Sequence, residues 1–521
     1  MTSRRFAPVW LGATAAVAMA VRLLYPTPVG MADNNDGSRL MCVAGADASA
    51  PDAKEALWHF VLLRYQVRRD QGRCGGYPST EALPFRLVAW LHRDVLGLAG
   101  AIDLREMIVV YCLLCGVVVG AAARLVAGLP AVARWGLPLG LWVVLADATF
   151  ADYAGSPFTE IAALNGLLVF AVAGVAVVAG TAHHRLAFLV AWLGAVFAVG
   201  AKTHTLTLVL PLALFFGFRR LEVGRLAGRG RDRVLPILAV VSLLAVAAWE
   251  QTGGFADGHP QNQATNVGNE ITMTIMPKSD DPGQAAVDLG LPRSFGHYSG
   301  THAWSPHPIQ ADPGYPAVAG RFTEANLERY LVTHPALSLR IAVDSSAAYL
   351  KFRNEYLGTY PLGSGYHADA QECRVCVLTG ASHLMQGTGI WGVLGYWGAC
   401  LAGAVWLLRR SGPGTPRRGF GLVAVTLVAG TVVQYATAVY GEGNEVTKHL
   451  VVALFAASLT PLWLLAGWFA PGRRPEPRPD EEQDEQDKQD QQGERRDSEL
   501  DHTVRSRLVN RAQAREHATT A

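Results

Sequence analysis

Long apolar stretches recur along most of the chain, separated by polar segments of very different length. A membrane-spanning helix needs about 20 mostly apolar residues, because the lipid core offers no partner to exposed backbone groups. Ten stretches meet or approach that length, and the third, fifth and sixth are short enough that a hairpin is an alternative there. The ten are Phe6–Leu24, Met107–Leu129, Trp135–Phe150, Ile161–Gly180, Leu186–Ala201, Thr205–Phe218, Val234–Trp249, Gly389–Leu408, Phe420–Tyr440 and Leu450–Phe469.

The composition agrees with this pattern. Half of the 521 residues are hydrophobic and only 17% are charged, whereas a soluble chain of this length would need more polar surface. The prediction is an all-α polytopic membrane protein with about ten transmembrane helices. The first stretch is followed by no convincing cleavage site, so we interpret it as a retained helix rather than a signal peptide.

Basic residues set the expected orientation, because Lys and Arg in short loops stay cytoplasmic. If Arg4 and Arg5 are cytoplasmic and the chain crosses the membrane ten times, the other short basic loops are cytoplasmic as well. The basic pair Arg473 and Arg474 then also lies in the cytoplasm. This predicts a multi-pass protein of the cell membrane whose N- and C-termini are cytoplasmic. The net charge of +2 does not indicate a partner, and no basic and aromatic pattern suggests nucleic acid.

Two long polar stretches then lie outside the cytoplasm and divide the chain. Residues 1–250 form an N-terminal transmembrane module whose external loop 25–106 carries an acidic cluster. Residues 251–388 form an extracytoplasmic insertion of mixed structure, and residues 389–470 form the C-terminal transmembrane helices. The tail 471–521 is rich in Asp, Glu, Gln and Arg, a composition typical of cytoplasmic disorder.

Local patterns predict elements inside both external stretches. In the first, Leu57–Val67 and Leu83–Leu98 have apolar residues at helical spacing, which predicts interfacial helices; a small soluble subdomain is the alternative. In the second, Glu270–Met276 alternates in character like a strand. Pro335 separates two helical patterns, the second of which covers Ala336–Phe352.

Four cysteines are external on this topology: Cys42, Cys74, Cys373 and Cys376. An oxidising compartment permits two disulfides among them, in three alternative pairings. The Cys373–Cys376 spacing also fits half of a zinc site, but no second pair or suitable histidine couple follows. Disulfides are therefore favoured.

Ionisable and polar residues gather where helices end on the external side. Charged groups near the lipid core are costly and usually face a protein or water cavity. Each alone has an ordinary explanation as a turn, snorkelling or solvated residue, but their joint placement favours one shared site. They are Asp33, Asp36, Asp152, Tyr153, Ser156, Glu160, Lys202, His204, Glu442, Glu445, Lys448 and His449.

This set suits glycosyl transfer from a lipid-phosphate sugar. Nucleotide sugars are absent outside the cytoplasm, so an activated sugar must arrive on a membrane lipid. A carboxylate would take the proton of the acceptor hydroxyl as its oxygen attacks the anomeric carbon. Cations would neutralise the phosphate leaving group. The candidate cations are Lys202, His204, Lys448 and His449, with Arg39 as a further one.

Short motifs occur in order across residues 1–470: Asp33-Asn34-Asn35-Asp36, Ile102-Asp103-Leu104-Arg105, Tyr153-Ala154-Gly155-Ser156-Pro157-Phe158-Thr159-Glu160, Ala201-Lys202-Thr203, Leu289-Gly290-Leu291-Pro292, His334-Pro335, Arg353-Asn354-Glu355-Tyr356-Leu357-Gly358-Thr359-Tyr360 and Lys448-His449-Leu450. In their order and placement, the chain resembles the GT-C class of polytopic glycosyltransferases. It is more closely similar to the bacterial hexosyltransferases of surface-glycan synthesis.

The resemblance implies a polyprenyl-phosphate hexose donor, a glycan or glycolipid acceptor, and an inverting reaction with an aspartate of the first external loop as base. Asp36 is the first choice and Asp33 the second, since Asp36 lies farther from the helix end and beside Arg39. Glu160 is expected to orient the acceptor or hold a metal, and Tyr153 to bind substrate. Some members of the class use a divalent cation; without a tight Asp-x-Asp pair, we do not expect a required metal here.

Two other functions stay open. A lipid-linked glycan flippase or secondary transporter also uses intramembrane charges, although transporters commonly show inverted repeats and helices broken at the midplane. Here the charges lie at helix ends and no repeat is visible. The third hypothesis is a non-catalytic envelope assembly protein whose external loop binds partners.

Overall fold

The computed structural model describes residues 3–47, 53–67, 79–97, 101–181, 183–217, 233–252, 259–441 and 443–473. Several predictions fall outside the described residues: nearly all of the tail 471–521, nearly all of the basic loop 219–233, Cys74 and Glu442.

Each of the ten apolar stretches forms a helix, which confirms the all-α polytopic fold. In chain order they are α1 Ser3–Leu24, α2 Leu104–Leu125, α3 Ala131–Ala146, α4 Glu160–Val178, α5 His184–Val199, α6 Val209–Gly217, α7 Val234–Gln251, α8 Gly389–Arg409, α9 Pro416–Gly441 and α10 Val451–Phe469. Within the described ranges, seven helices are long and apolar enough to cross a membrane, or eight if α3 and the bent segment after it form one span.

The three short stretches depart from simple spans. The chain bends by 58° between α3 and the helical segment Ala148–Gly155. Asp147 produces this break because its carboxylate accepts hydrogen bonds from the Thr149 N–H at 3.1 Å and the Leu378 N–H at 2.8 Å, which caps the next turn. Helix α5 has only 16 residues, and α6 continues a 3-10 turn at Thr203–Leu208.

Small residues bring α4 and α5 into direct backbone contact. A Cβ atom added at Gly166 would lie 2.4 Å from the Gly194 carbonyl oxygen, and one at Gly194 would lie 2.7 Å from the Gly166 carbonyl oxygen. Such close approach is how membrane helices gain packing energy where the surrounding lipid is as apolar as the side chains.

The loop between α1 and α2, which the sequence predicts to be external, folds as a small subdomain. A three-stranded antiparallel sheet, in the order β1 (Ala46–Asp47), β2 (Arg64–Val67) and β3 (Ala101–Asp103), packs against helices. These helices are Asp36–Ala44, Ala53–Ala56 and Ala82–Trp90, the last followed by a π-helical turn at Leu91–Val95. The subdomain has a hydrophobic core of its own, which includes Leu40, Met41, Tyr65, Phe85 and Ile102.

One of the two interfacial helices predicted for this loop is wrong. Leu57–Val67 contains turns and strand β2, because Tyr65 points into the subdomain core while Arg64 and Gln66 are exposed. That alternation of burial requires a period of two residues. The helix predicted at Leu83–Leu98 is present, and it exposes Leu83, Leu87 and Trp90.

The described residues of the insertion form helices and helical turns joined by irregular segments, and an isolated β-bridge pairs Pro361 with Val61. The insertion's described helices and helical turns are His259–Asn269, Glu270–Ile275, Met276–Lys278, Pro282–Asp288, Arg293–Tyr298, Ile309–Ala311, Tyr315–Val318, Ala319–Arg321, Glu324–Thr333, Pro335–Lys351, Val377–Met385 and Gln386–Thr388.

The strand predicted at Glu270–Met276 is a π-helical turn that continues the helix before it. Nearly every residue of this turn is buried, so the alternation of residue types does not mark two faces. The break at Pro335 is confirmed, because one helix ends at Thr333 and the next begins at Pro335.

A buried ionic network ties the end of α1 to the insertion. Arg22 donates from Nε to the Ala146 carbonyl at 2.8 Å and pairs with both Asp152 and Glu372. Arg353 pairs with Asp152 at 2.9 Å and donates to the Glu372 carbonyl. All four charged side chains of this network are less than a tenth exposed.

The cysteines beside this network form a disulfide. Cys373 is bonded to Cys376, which rules out zinc on that pair. Cys42 is also disulfide-bonded. Both findings agree with an oxidising compartment for the external stretches.

Candidate functional site

The site centres on the carboxylate of Asp36, in the loop after α1. Lys448, just before α10, lies 2.8 Å from it, and Lys202, just after α5, lies 3.3 Å from it. Asp36 is the first residue of the short helix Asp36–Ala44, and Arg39, one turn later in that helix, lies 3.8 Å from the Asp36 carboxylate. Side chains far apart in the sequence therefore meet at one end of the helical bundle.

Each lysine also has a second carboxylate. Lys202 Nζ lies 3.0 Å from Glu160 at the start of α4, and Lys448 Nζ lies 2.7 Å from Glu445. The lysines are 7% and 0% exposed, whereas Asp36 is 22% exposed. Acids and bases thus alternate through the site, and Asp36 is its most accessible carboxylate next to the lysines.

Asp33 shapes the loop that carries Asp36. Its Oδ1 accepts hydrogen bonds from the backbone N–H groups of Asn35 at 2.7 Å and Gly37 at 2.8 Å. Gly37 is required there, because an added Cβ would lie 2.3 Å from the ring of Pro157. Asp33 is buried and forms no ion pair within the described part of the chain.

Hydrogen bonds fix the turn that carries Lys202. The Thr205 hydroxyl accepts from the Lys202 N–H at 3.0 Å and donates to the Lys202 carbonyl at 2.7 Å. Ser79 of the first external loop donates to the Ala201 carbonyl at 2.6 Å. Lys202 therefore has an extended backbone between the end of α5 and the 3-10 turn Thr203–Leu208, and it contributes its side chain to the site.

The short helix Val446–His449 presents Lys448 and is held from two sides. Asn34 donates from Nδ2 to both oxygens of Glu445, at 2.8 and 2.6 Å. Tyr153 donates its hydroxyl to the Lys448 carbonyl at 3.4 Å, and the Phe158 ring centroid lies 5.3 Å from Lys448 Nζ. Tyr153 contacts the backbone that positions the lysine.

Electrostatics separate the two aspartates. Burial acts to raise the pKa of Asp36, but Lys448 and Lys202 outweigh it and hold that pKa below its ordinary value. Burial raises the pKa of Asp33 to about 6, against the opposing hydrogen bond from Gly37. Burial likewise opposes the charge of Lys448, yet Asp36 and Glu445 raise its pKa well above the usual range. Asp36 and Lys448 therefore form a stable ion pair at neutral pH.

Two buried histidines, His204 and His449, lie next to each other and close to Glu160. The rings of His204 and His449 meet edge to face with centroids 5.0 Å apart, and His449 Nδ1 lies 3.7 Å from Glu160 Oε1. Burial, with the nearby charge of Lys202, lowers the pKa of His449 well below its ordinary value. The ring of His449 is therefore neutral, so the cationic role falls to the lysines.

A polar cavity of about 710 Å³ opens from the ion pairs toward the insertion. Asp36, Lys202 and His449 are among the residues that line it. On the insertion side, Trp304 is 62% exposed and offers the cavity a large flat ring. A cavity with a few convergent charges and an aromatic wall is typical of a small-molecule site.

A second, apolar cavity of about 280 Å³ lies on the other side of the start of α4. Ile161 lines it, one residue after Glu160, which faces Lys202. Its walls come from α2, α4, α5 and the helix Ala82–Trp90, and Glu81 is one of its few polar groups. Burial raises the pKa of Glu81 well above the usual value, which favours its uncharged form.

The model of one protein family, the YfdI N-terminal transmembrane domain, matches residues 2–489, nearly the whole chain. The chain belongs to this family. The match supports the membrane location shown by the apolar helices. No curated protein and no solved structure matches the chain.

In this YfdI-family chain, the predicted site residues largely converge. Asp36, Arg39, Glu160, Lys202 and Lys448 form the ion-paired cluster. His204 and His449 lie directly behind it, and Asp33 and Tyr153 hold its backbone. Asp152, by contrast, belongs to the separate network of Arg22.

Glu445 was predicted to belong to the shared site but was not assigned a role, and Asn34 was not predicted as a site residue. Taken alone, Glu445 has the ordinary explanation of a solvated loop acid, but its side chain is 13% exposed and pairs with Lys448. The available signal was its spacing of three residues before a lysine at a helix start, which places both on one face. The partnership of Asn34 with Glu445 is long-range and has no local signal.

Proposed function

We propose that the protein is a membrane glycosyltransferase of GT-C type. It transfers a hexose from a polyprenyl-phosphate donor to a cell-envelope glycan or glycolipid at the extracytoplasmic face, with inversion. The observation that carries this proposal is the carboxylate of Asp36, which lines the larger cavity and is paired with two buried lysines, Lys202 and Lys448.

The lysines suit the donor phosphate. Lys202 and Lys448 are the buried cations of the site, and charge-assisted contacts to phosphate are strong where water is excluded. In the donor-free site they are neutralised by Asp36, Glu160 and Glu445. An incoming phosphate would compete with these carboxylates for the lysines, and Asp36, which lines the cavity and is 22% exposed, is the most accessible of the three.

This competition would activate the base. Lys448 and Lys202 now stabilise the carboxylate form of Asp36 and so weaken it as a proton acceptor. When the donor phosphate draws the lysines away, the pKa of Asp36 rises toward the range in which it can accept a proton. The base would therefore become competent only when the donor is bound.

In the reaction, the acceptor hydroxyl oxygen forms a bond to the anomeric carbon while the bond from that carbon to the phosphate oxygen breaks. The acceptor proton passes to Asp36, and the electron pair of the broken bond stays on polyprenyl phosphate. Lys202 and Lys448 stabilise the charge that develops there. Attack opposite the leaving group inverts the anomeric configuration. Trp304 in the polar cavity offers a stacking surface for a sugar ring.

The apolar cavity suits the donor's hydrocarbon tail. It is separated from the lysines only by the start of α4, with Glu160 on one side and Ile161 on the other. The neighbouring helix Ala82–Trp90 exposes Leu83 and Leu87, as expected of a helix at the membrane surface. A polyprenyl chain could lie in this cavity while its phosphate reaches Lys202.

The direct test is reconstitution of the purified protein in liposomes with polyprenyl-phosphate carrying a radiolabelled hexose and an extract of envelope glycans. We expect labelled glycan from the intact protein and none from protein-free liposomes. If the label instead crosses to the opposite leaflet still attached to the lipid, and no glycan is labelled, the protein is a flippase and the proposal is wrong.

Filling the apolar cavity should weaken binding of long-chain donors selectively. Val169 lines this cavity, and Val169→Trp would displace part of the tail; each lost methylene contact costs about 0.8 kcal/mol. We expect the KM for a long-chain donor to rise roughly tenfold, the cost of about two such contacts, with kcat little changed. The KM for a donor of one or two isoprene units should not move.

The matched control is Val117→Trp, which adds the same bulk on α2 at a position that is 69% exposed. Equal KM changes for long and short donors in Val169→Trp, or the same change in Val117→Trp, would contradict the assignment of the tail to this cavity.

A further inference from the structure

Glu160, His204 and His449 bring three potential metal ligands together in the interior. One ligand atom from each lies within 4.8 Å of the other two, and all three residues are buried. The three come from separate parts of the chain: the start of α4, the 3-10 turn before α6 and the short helix before α10. Their convergence is a product of the fold and has no local sequence motif.

The ring of His204 lacks the partners that a buried histidine normally has. It is 4% exposed, and within the described residues neither its Nδ1 nor its Nε2 makes a hydrogen bond. Leaving a buried polar atom without a partner is unfavourable, so such atoms call for an explanation. Only the backbone of His204 is secured, because Gln434 donates to its carbonyl at 3.1 Å. The ring faces His449 and adjoins the polar cavity.

We propose that Glu160, His204 and His449 bind a divalent transition-metal ion, with Zn²⁺ as the best match. Two imidazole nitrogens and one carboxylate oxygen suit Zn²⁺, whereas Mg²⁺ and Ca²⁺ prefer oxygen ligands alone. Three protein ligands leave a coordination position open, as in zinc sites that bind a substrate or water. The site differs from the Asp-x-Asp type of metal site, whose absence argued against a required metal.

The present separations require only a small contraction. Two ligands at about 2.0 to 2.2 Å from a tetrahedral Zn²⁺ lie about 3.4 Å apart. A pair separated by as much as 4.8 Å must therefore close by up to about 1.4 Å, by movement of the side chains. Lys202 now lies 3.0 Å from Glu160 Oε1 and would compete with the metal for that oxygen. When displaced, Lys202 keeps Asp36 as its other partner.

Metal binding by the full-length protein in detergent tests this proposal without reference to the reaction. After treatment with a chelator and addition of Zn²⁺, removal of free metal and elemental analysis should find one Zn²⁺ per chain. Co²⁺ in its place should give the visible absorption bands of a four-coordinate site, which Zn²⁺ then abolishes. Zn²⁺ should also raise the melting temperature of the wild-type protein.

His204→Gln should lose the bound Zn²⁺, the cobalt spectrum and the rise in melting temperature, while the control His367→Gln, at an exposed position in the insertion, keeps all three. Wild-type protein that retains no Zn²⁺ and shows no cobalt bands would overturn the proposal, even if the variant fails to fold. Equal Zn²⁺ retention by wild type and His204→Gln would overturn it as well. Because none of these readouts involves a sugar donor, failure here leaves glycosyl transfer to be judged by its own assay.

Discussion

Asp36→Asn is expected to lower kcat for hexose transfer by about 10²- to 10⁴-fold, the usual contribution of a general base. The amide has the same shape but cannot take the acceptor proton. The fold should persist, because Lys202 and Lys448 keep Glu160 and Glu445 as partners. Binding of polyprenyl phosphate should be unchanged or tighter, since one competitor for the lysines has lost its charge. Steady-state transfer and equilibrium binding of labelled lipid measure the two effects separately.

Two other aspartates serve as comparisons. Asp47→Asn removes an exposed carboxylate from the same subdomain and should leave transfer unchanged. Asp33→Asn should have a smaller effect than Asp36→Asn, because Asp33 holds the turn and does not contact the lysines. Transfer by Asp36→Asn at close to the wild-type rate would refute its role as the base. Near-complete loss confined to Asp33→Asn would assign that role to Asp33 instead.

Arg22→Leu is expected to produce the largest loss of stability. The substitution removes a cation that pairs with two buried carboxylates, Asp152 and Glu372, and leaves Arg353 as the remaining cation of the ion pairs. Breaking a buried ionic interaction from one side typically costs about 3 to 5 kcal/mol, because a charge stays buried without its partner. Unfolding in detergent, followed by circular dichroism or thiol exposure, should show a clearly lower midpoint.

The control for this effect is Arg93→Gln. Arg93 pairs with its neighbour Asp94 at the surface, where the arginine side chain is 62% exposed, and water replaces such a contact readily. We expect no measurable change in the unfolding midpoint. A midpoint for Arg22→Leu equal to that of the wild type would show that the network contributes nothing to holding the insertion on the bundle.

The membrane helices were predictable because every segment that crosses the lipid must satisfy its own backbone hydrogen bonds and be mostly apolar. A spanning segment must be apolar along its length, so the sequence alone located the ten apolar helices, of which seven or eight within the described ranges are long enough to cross a membrane. The break after α3 was less visible, since it depends on Asp147 accepting a hydrogen bond from Leu378, more than 200 residues away. Helix ends that depend on such long-range contacts have no local signature.

The external segments were predicted less well for a related reason. In Arg64–Val67, one buried residue, Tyr65, decides between strand and helix, and its burial comes from partners elsewhere in the subdomain. In Glu270–Ile275, an alternation of residue types was overridden by burial on nearly all sides. Local periodicity predicts structure when one face is exposed and the other buried over several residues. Strand Arg64–Val67 is too short to show that pattern clearly, and Glu270–Ile275 has no exposed face.

The site itself was partly predictable. Topology alone indicated that Asp36, Lys202 and Lys448 would lie on the same side of the membrane, and they meet within 3.3 Å. Topology did not indicate which lysine partner each carboxylate takes. Nor did it separate the exposed Asp36 from the turn-forming Asp33, a distinction made by the two backbone hydrogen bonds to Asp33.

The proposed reaction requires that the cavity lined by Asp36 and Lys202 is open to the outside of the cell. Labelling of introduced cysteines with a membrane-impermeant maleimide tests it in intact cells. Arg39→Cys and Thr203→Cys report on the cavity, and Arg134→Cys reports on the opposite end of the bundle. The native free cysteines within the described ranges are buried and should react little. We expect positions 39 and 203 to react without permeabilisation and position 134 only after it. Reaction of positions 39 and 203 from opposite sides, or of both only after permeabilisation, would contradict the account.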